Sequence, residues 1–437
     1  MMRALYSVVM WLAQPFLRRK LLKRGAQEPG YLEAVEERFG RYQFEPWPDD
    51  RKGIWVHAVS LGETRAAAVL VTRLRERLPG MRLLLTHGTA TGRAEGAGLL
   101  QAGDVQVWLP WDTPGAVQRF LTQFKPRIGN LMETEVWPNL AAACERLNVP
   151  LVLANARLSD KSLRQALRLA WLSRPAYCSL AAVWAQTQDD AARFTELGAK
   201  VQGVFGNLKF DATPDAQQLA RGRVWRAALG RPLIMFASSR EGEEAELLQI
   251  LRGLKAQHPK NDARPAVQWL IVPRHPQRFD EVAALISEHG FVVARRSQWG
   301  ARPNLIDMSA DIWLGDTLGE MALYYGLSDA ALLGGSFAPL GGQNLIEAAA
   351  CACPVFMGLH TFNFDEAASL AQDVGAAERH TSMAQAVAAA LALVQEPARQ
   401  QAMARTAIQF AQAHRGAVDR TIDAVASLLG QQGVDTL

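Results

Sequence analysis

From residue 54 onward the chain alternates short apolar runs with longer stretches in which apolar residues recur at helical spacing. Residues 54–59, 82–86, 105–109, 127–132, 150–154, 182–185 and 201–205 read as strands, and residues 65–78, 114–124 and 136–147 read as helices between them. This alternation predicts right-handed crossovers on a parallel sheet. A polar stretch at 206–218, carrying Gly, Asn, Asp and Pro, has the composition of a linker. The pattern then restarts: residues 232–237, 267–272, 291–294, 312–314, 330–333 and 354–357 form a second set of strands, with helices at 243–255 and 343–351 among them. The expected fold is α/β, with two doubly wound Rossmann-like domains of similar size. Their bounds are expected as a head at 1–24, a first domain at 25–206, a linker at 207–218 and a second domain at 219–437. The Ala-rich end of the second domain, residues 383–429, is expected to pack as helices over its outside. Two such domains leave a central cleft which the carboxyl ends of both sheets can face, a default ligand site.

The head breaks the pattern. Ala4-Leu-Tyr-Ser-Val-Val-Met-Trp-Leu-Ala-Gln-Pro-Phe-Leu17 is apolar and runs straight into Arg18-Arg-Lys-Leu-Leu-Lys-Arg24. A secretory signal carries its basic cluster on the other side of the apolar core and a small-residue cleavage site after it, so the head reads as a membrane anchor. It is shorter than the roughly 20 residues of a comfortable span, which leaves open an interfacial amphipathic helix or a short transmembrane one. Either way, the basic flank faces the cytoplasm and anionic headgroups. Charge supports that division. Of 47 Lys and Arg and 43 Asp and Glu, residues 1–41 hold eight basic and four acidic, leaving 39 of each for the remaining 396. A balanced body argues against nucleic acid as a partner. Cys144, Cys178, Cys351 and Cys353 form no Cys-x-x-Cys pair and read as reduced, packed thiols of a cytosolic setting.

Five segments at the expected strand ends are denser in Gly and polar residues than packing requires. The first, His57-Ala-Val-Ser-Leu-Gly-Glu63, delivers a carboxylate where a helix begins; Glu63 is either a rim carboxylate or an ordinary partner of the helix dipole. The second, Glu133-Thr-Glu135-Val-Trp-Pro138, places two more carboxylates after a strand. Gly206-Asn-Leu-Lys209-Phe-Asp211 is the third; Ala237-Ser-Ser-Arg-Glu-Gly242 with Pro273-Arg-His-Pro276 forms the fourth. Gly315-Asp-Thr-Leu-Gly-Glu320 and Gly334-Gly-Ser-Phe-Ala-Pro-Leu-Gly-Gly-Gln-Asn-Leu-Ile-Glu347 form the fifth. Paired glycines let backbone approach a ligand, and a helix beginning near Gln343 would offer N–H groups to a phosphate, with Glu347 accepting ribose hydroxyls. Gly-x-Gly-x-x-Gly does not follow the first strand of either half, and neither a Walker-type Gly-Lys-Ser/Thr nor His-Glu-x-x-His nor an Asp-x-Asp pair occurs. A bound metal therefore has no obvious ligands, and a leaving phosphate would rely on Lys209, Arg274 and a helix N-terminus. Alternatives stand for single residues: Lys209 or Arg274 as an ion-pair partner, His275 as the cap of the next helix, and Trp55 and Trp137 as core.

Taken in order, His57–Glu63, Pro110-Trp-Asp-Thr-Pro114, Glu133–Leu140, Asn155-Ala-Arg-Leu-Ser159, Gly206–Asp211, Pro273–Phe279, Gly315–Glu320, Gly334–Glu347 and Gly358-Leu-His-Thr-Phe-Asn-Phe364 resemble the bacterial 3-deoxy-D-manno-octulosonic acid (Kdo) transferases of lipopolysaccharide synthesis. The resemblance covers nearly the whole chain, including the head. It implies a GT-B glycosyltransferase with an acceptor-binding first domain and a CMP-sugar-binding second one. The implied reaction moves Kdo from CMP-Kdo to the lipid A precursor (lipid IVA) at the cytoplasmic face of the inner membrane, with no cofactor and no metal. By the same resemblance Glu63 matches the general base, and Glu133 and Lys209 match residues supporting the transition state. Pro273, Arg274, His275, Leu318, Gly319, Glu320, Asn344, Leu345, Ile346 and Glu347 match the CMP site; Leu318 and Gln343 depart from the side chains expected there without removing a charge. Donor and acceptor on opposite faces of the anomeric carbon imply an inverting displacement. Two other readings are a sugar-nucleotide 2-epimerase of similar fold and a non-catalytic nucleotide-binding module.

Overall fold

The computed structural model describes residues 2–47, 53–257, 266–300 and 302–434. The first seven strands are β1 (Gly53–His57), β2 (Arg82–His87), β3 (Val105–Trp108), β4 (Ile128–Met132), β5 (Leu151–Ala156), β6 (Ala182–Ala185) and β7 (Val201–Val204). They form one parallel sheet in the order β3-β2-β1-β4-β5-β6-β7. Alternation of side chains along β1 explains why its run is apolar throughout: Trp55 faces a core with Phe120, Phe124 and Leu131, whereas Ile54 and Val56 face another with Leu70, Leu74 and Leu83. A parallel sheet covered on both faces requires this.

Strands β8 (Leu233–Ser239), β9 (Gln268–Pro273), β10 (Val293–Arg295), β11 (Ile312–Leu314), β12 (Ala330–Leu333), β13 (Val355–Met357) and β14 (Ala377–Arg379) make the second parallel sheet. Its order is β10-β11-β9-β8-β12-β13-β14, with β11 inserted between β9 and β10. Strand order reverses between β1 and β4 in the first sheet and between β8 and β12 in the second, which marks the carboxyl ends of those strands as the ligand edge. The α/β class and all thirteen strands read from the sequence are present; β14, an Ala-Glu-Arg edge strand without an apolar run, is additional.

The chain divides into one unit of residues 1–211 with the segment from His414 onward, and a second of residues 212–413. This corrects the expected second domain of 219–437 at its end, whose last three residues lie outside the described ones. Helix Ala417–Val434 places Ala417, Val418, Ile422, Val425 and Leu429 in the core under β1 and β4, because its own apolar stripe matches that uncovered face. Residues 207–211, expected in the linker, are a turn of the first unit. All four cysteines are free, and only Cys178 is exposed.

At the head, Met2–Leu12 and Gln14–Gly25 are two helices, the second starting with Pro15 in its first turn. The first buries none of its side chains, and Leu5, Val8, Val9, Trp11, Leu12 and Phe16 are exposed. Ser7 Oγ donates to Asn139 Oδ1 at 3.0 Å, and Arg18 pairs with Glu36 at 2.7 Å. Among the described residues no helix is long and apolar enough to cross a membrane.

Candidate functional site

In the first unit the β1/β4 switch point gathers the predicted site residues Glu63, Glu133 and Lys209, with Glu135 beside them. After β1 ends at His57, the helix Leu61–Arg77 begins with Ser60 as its N-cap. Ser60 Oγ accepts from Glu63 N at 3.4 Å, and the Glu63 carboxylate turns back to accept from Val59 N at 2.8 Å and from Ser60 Oγ at 3.1 Å. Glu63 thus satisfies orphan donors of the helix start. It is also a half-buried carboxyl beside others. Burial pushes it up to about 7, opposed by the Val59 N–H and reinforced by Glu133 and Glu135.

β4 delivers Glu133 in left-handed backbone, φ 60°, a conformation that costs a residue with a Cβ roughly 1–2 kcal/mol. The strained turn is held by Glu133 N donating to Ala154 O at 3.0 Å and Arg157 N donating to Glu133 O at 3.1 Å. Its Oε1 lies 3.4 Å from Lys209 Nζ, both side chains largely buried. Lys209 is placed from below by two neighbouring strand ends. Asn155, also left-handed at φ 53°, accepts from Leu208 N at 3.0 Å through its side chain; Gln186 accepts from Asn207 Nδ2 at 3.1 Å, and Asn207 Oδ1 accepts from Lys209 N at 3.0 Å. Glu135 is the third carboxylate, half-exposed, with Oε2 3.9 Å from Nε2 of buried His57.

The second unit has its own cluster at the β8/β12 switch point. Arg274, half-buried after β9, donates its backbone N–H to Ser239 O at 3.0 Å. Desolvation and the neighbouring guanidinium groups of Arg240 and Arg274 disfavour His275 as a cation, so the positive charge of this rim is carried by the arginines. The first amides of the Gly-rich loop have a partner within the protein. Glu243, buried, accepts from Arg240 N at 3.0 Å, Gly335 N at 2.8 Å and Phe337 N at 3.2 Å, so those loop amides hold a protein carboxylate rather than face a phosphate. The following helix starts at Leu345 and runs only to Ala350, with Asn344 capping Ile346 N at 3.1 Å. Leu345 and Ile346 are buried. Glu347, in the first turn, is half-buried. Glu320 pairs with Arg296 at 2.8 Å, and exposed Leu318 and Gly319, φ 75°, form the tip of their turn. Gly334 is obligatory, since a Cβ there would lie 2.3 Å from Ser238 O.

Within the first unit, then, Glu63, Glu133 and Lys209 meet; within the second, Pro273, Arg274 and His275 sit at one strand end and Leu318–Glu320 and Asn344–Glu347 at others. His57, Glu135, Asn155, Arg240 and Glu243 were not singled out as site residues. Their signal was present in the same strand-end motifs, but their roles depend on strand register. Among the described residues no group of three or more His, Cys, Asp or Glu is placed to hold a metal ion.

The family model described as 3-deoxy-D-manno-octulosonic-acid transferase (kdotransferase) matches residues 33–212. The chain is 47% identical over 434 residues to 3-deoxy-D-manno-octulosonic acid transferase of Bordetella pertussis, covering 98% of this chain and 100% of that one. It is 31% identical over 430 residues to the transferase of the same name from Haemophilus influenzae, covering 97% and 98%. Among solved structures, UDP-GlcNAc 2-epimerase from Neisseria meningitidis aligns with a TM-score of 0.55 and 14% identity over 86% of this chain and 100% of that one. A glycosyltransferase from Rickettsia africae aligns likewise at 0.55 and 12%, over 87% and 99%. At such identities the likeness is one of fold, the GT-B arrangement of two Rossmann-like units.

Proposed function

We propose, from the premise that the chain belongs to the 3-deoxy-D-manno-octulosonic acid transferase family, that it moves Kdo from CMP-Kdo to a sugar hydroxyl of the lipid A precursor in one inverting displacement, with Glu63 as general base. A sugar hydroxyl is poorly nucleophilic until its proton is taken, and a positioned base contributes ~10²–10⁴-fold. The observation that carries the reading is the Glu63 carboxyl, half-buried beside Glu133 and raised to about 7, so that it can both hold and release a proton near neutrality. Glu133, fixed by its strained turn and by Lys209, stabilises positive charge developing at the anomeric carbon. In the second unit Arg240 and Arg274, beside a His275 that is disfavoured as a cation, supply the positive charge that pairs with a CMP phosphate.

Supporting a membrane location, the first head helix presents Leu5, Val8, Trp11 and Leu12 to solvent, with Arg18, Arg19, Lys20, Lys23 and Arg24 following. Such a helix suits the headgroup layer of the cytoplasmic face, where an acyl-chain-bearing acceptor resides.

The test is transfer of Kdo to a tetraacylated lipid A precursor, with CMP-Kdo generated in the assay, for wild type and Glu63→Gln. Product from wild type and none from a variant that still binds CMP supports both reaction and base. Product from both returns Glu63 to a helix-start residue. Absence of product from wild type leaves the epimerase or binding-module readings.

A further inference from the structure

His57 and Glu135 have no part in the reaction as derived so far, yet they stand at the same switch point as Glu63 and Glu133. His57 closes β1 and is 1% exposed. Parallel pairing of β1 with β2 sets it opposite Thr86 and fixes a polar chain through the sheet. The Trp55 indole, a donor only, reaches Thr86 Oγ1 at 2.8 Å, and so claims one of its lone pairs. The hydroxyl hydrogen is then left for His57 Nδ1, 2.9 Å away. The other atom near Nδ1, Thr86 O at 3.2 Å, already accepts from Ala58 N at 3.0 Å. The assignment that gives the Thr86 hydroxyl hydrogen an acceptor has it donate to Nδ1, which puts the ring hydrogen on Nε2.

That Nε2–H is buried and has no hydrogen-bond partner. A buried donor without an acceptor is unfavourable and calls for one. The nearest carboxylate is Glu135, whose Oε2 is 3.9 Å away: beyond a hydrogen bond but within a small side-chain rotation of one. Glu135 is itself about a third exposed, so it faces both His57 and solvent.

We infer that Glu135 is a second acceptor-binding carboxylate and that His57 is the positioning residue that holds it through its buried Nε2–H, the 3.9 Å gap closing when the acceptor sugar seats. The assignment to acceptor rather than donor follows from place. Glu135 shares the strand edge of Glu63, the group proposed to meet the acceptor hydroxyl, whereas Glu133 is paired with Lys209. A sugar hydroxyl is a donor of hydrogen bonds, which a fixed carboxylate accepts. One carboxylate then takes the reacting hydroxyl's proton, and the other orients the ring by a neighbouring hydroxyl.

The inference rests on the Kdo-transfer reading, and steady-state kinetics of the full-length enzyme with acceptor and donor varied separately tells the two apart. Glu135→Gln is expected to raise the acceptor KM about tenfold, the order of one charge-assisted hydrogen bond, while the donor KM and the melting temperature stay put. His57→Phe is expected to reproduce that shift, and His57→Gln, which keeps an N–H near the Nε2 position, to rescue most of it. In the Glu135→Gln background His57→Phe should add nothing further, because its only route to the acceptor has gone. Additive effects, a shift in donor KM, or a lowered melting temperature with unchanged acceptor KM would each overturn the inference. Should His57→Phe fail to fold, Glu135→Gln and His57→Gln still decide it. Loss of transfer in wild type would strike the reading beneath and this inference with it.

Discussion

Glu63 is a helix-start glutamate and, in the proposed reaction, the acid–base group, and the two demands have opposite electrostatic consequences. The Val59 N–H and Ser60 hydroxyl favour its charged form, while burial and the neighbouring Glu133 and Glu135 favour the neutral one; burial dominates, leaving it near 7. The rate of transfer is therefore expected to rise with pH through about 7 on its acidic limb, as the base form fills, and a single-turnover pH profile measures this. Stability runs the other way. A carboxyl raised from its usual 4.5 to about 7 contributes stability that is complete below about 4.5 and lost as pH rises through about 7. Replacing it with Gln should make the protein more stable at pH 8, by on the order of 1 kcal/mol once its partial exposure is discounted, with little gain at pH 4.5. An unchanged difference in melting temperature between the two pH values would refute the assignment. Glu63, Glu133 and Lys209 were legible in the sequence because each follows an apolar run at a strand end. His57 was not: a histidine ending an apolar strand looks like any satisfied core residue, and only the pairing of His57 with Thr86, which one sequence does not reveal, exposes its spare nitrogen.

Elements were more legible than their ends. Thirteen strands followed from apolar runs alone, because a sheet covered on both faces cannot hide its strands. The helix expected near Gln343 begins two residues later, since Gly341 and Gly342 take positive φ and Asn344 stops the turn by capping it. One role of the Gly-rich loop was not legible for a related reason. Its glycines are consistent with phosphate approach or with a tight internal fold, and composition does not reveal that a glutamate from another strand end, Glu243, accepts from the amides of Gly335 and Phe337. Burial raises the Glu243 carboxyl while the loop amides of Gly335 and Phe337 oppose it. Substituting Ala leaves these buried N–H groups without an acceptor, at about 1–3 kcal/mol each where water cannot reach them. We expect Glu243→Ala to lower the melting temperature of the second unit and to release the amide hydrogens of residues 335–338 to exchange, with Glu244→Ala, which frees Arg278 instead, leaving those amides protected. Protection that survives in Glu243→Ala would mean the loop is held by its own turns.

At the scale of the whole chain, two segments lie apart from the regular alternation, and both concern attachment. The head carries exposed Trp11 and Phe16 on helices that begin a chain otherwise balanced in charge. If it docks at a membrane surface, Trp11→Ser with Phe16→Ser should reduce sedimentation with anionic vesicles several-fold, and added salt should weaken the remainder by screening the basic flank. Equal recovery of variant and wild type with vesicles would remove the head from that role. The tail attaches the chain to itself. The sequence assigned it to the second domain because continuity favours the nearest core, yet its apolar stripe fits the face left open by Ile54, Val56, Leu70 and Val152. The chain passes between its units at Asp211–Ala212 and again at Ala413–His414, and one side chain ties both passages to the first unit. Asp211 accepts from Gly416 N at 2.6 Å and Val418 N at 2.8 Å, serving as a carboxylate at the amino end of the helix Ala417–Val434, while the Phe210 and His414 rings stack at 4.8 Å. Loss of such a cap costs about 1–2 kcal/mol, which for a unit of this size lowers its melting temperature by about 3–6 °C. Calorimetry of Asp211→Ala should therefore show the first unit's transition shifted and the second unit's unmoved, because the amides that Asp211 caps belong to the first. A shift shared equally by both would mean that the two units unfold as one, and that the tail stabilises the molecule as a whole.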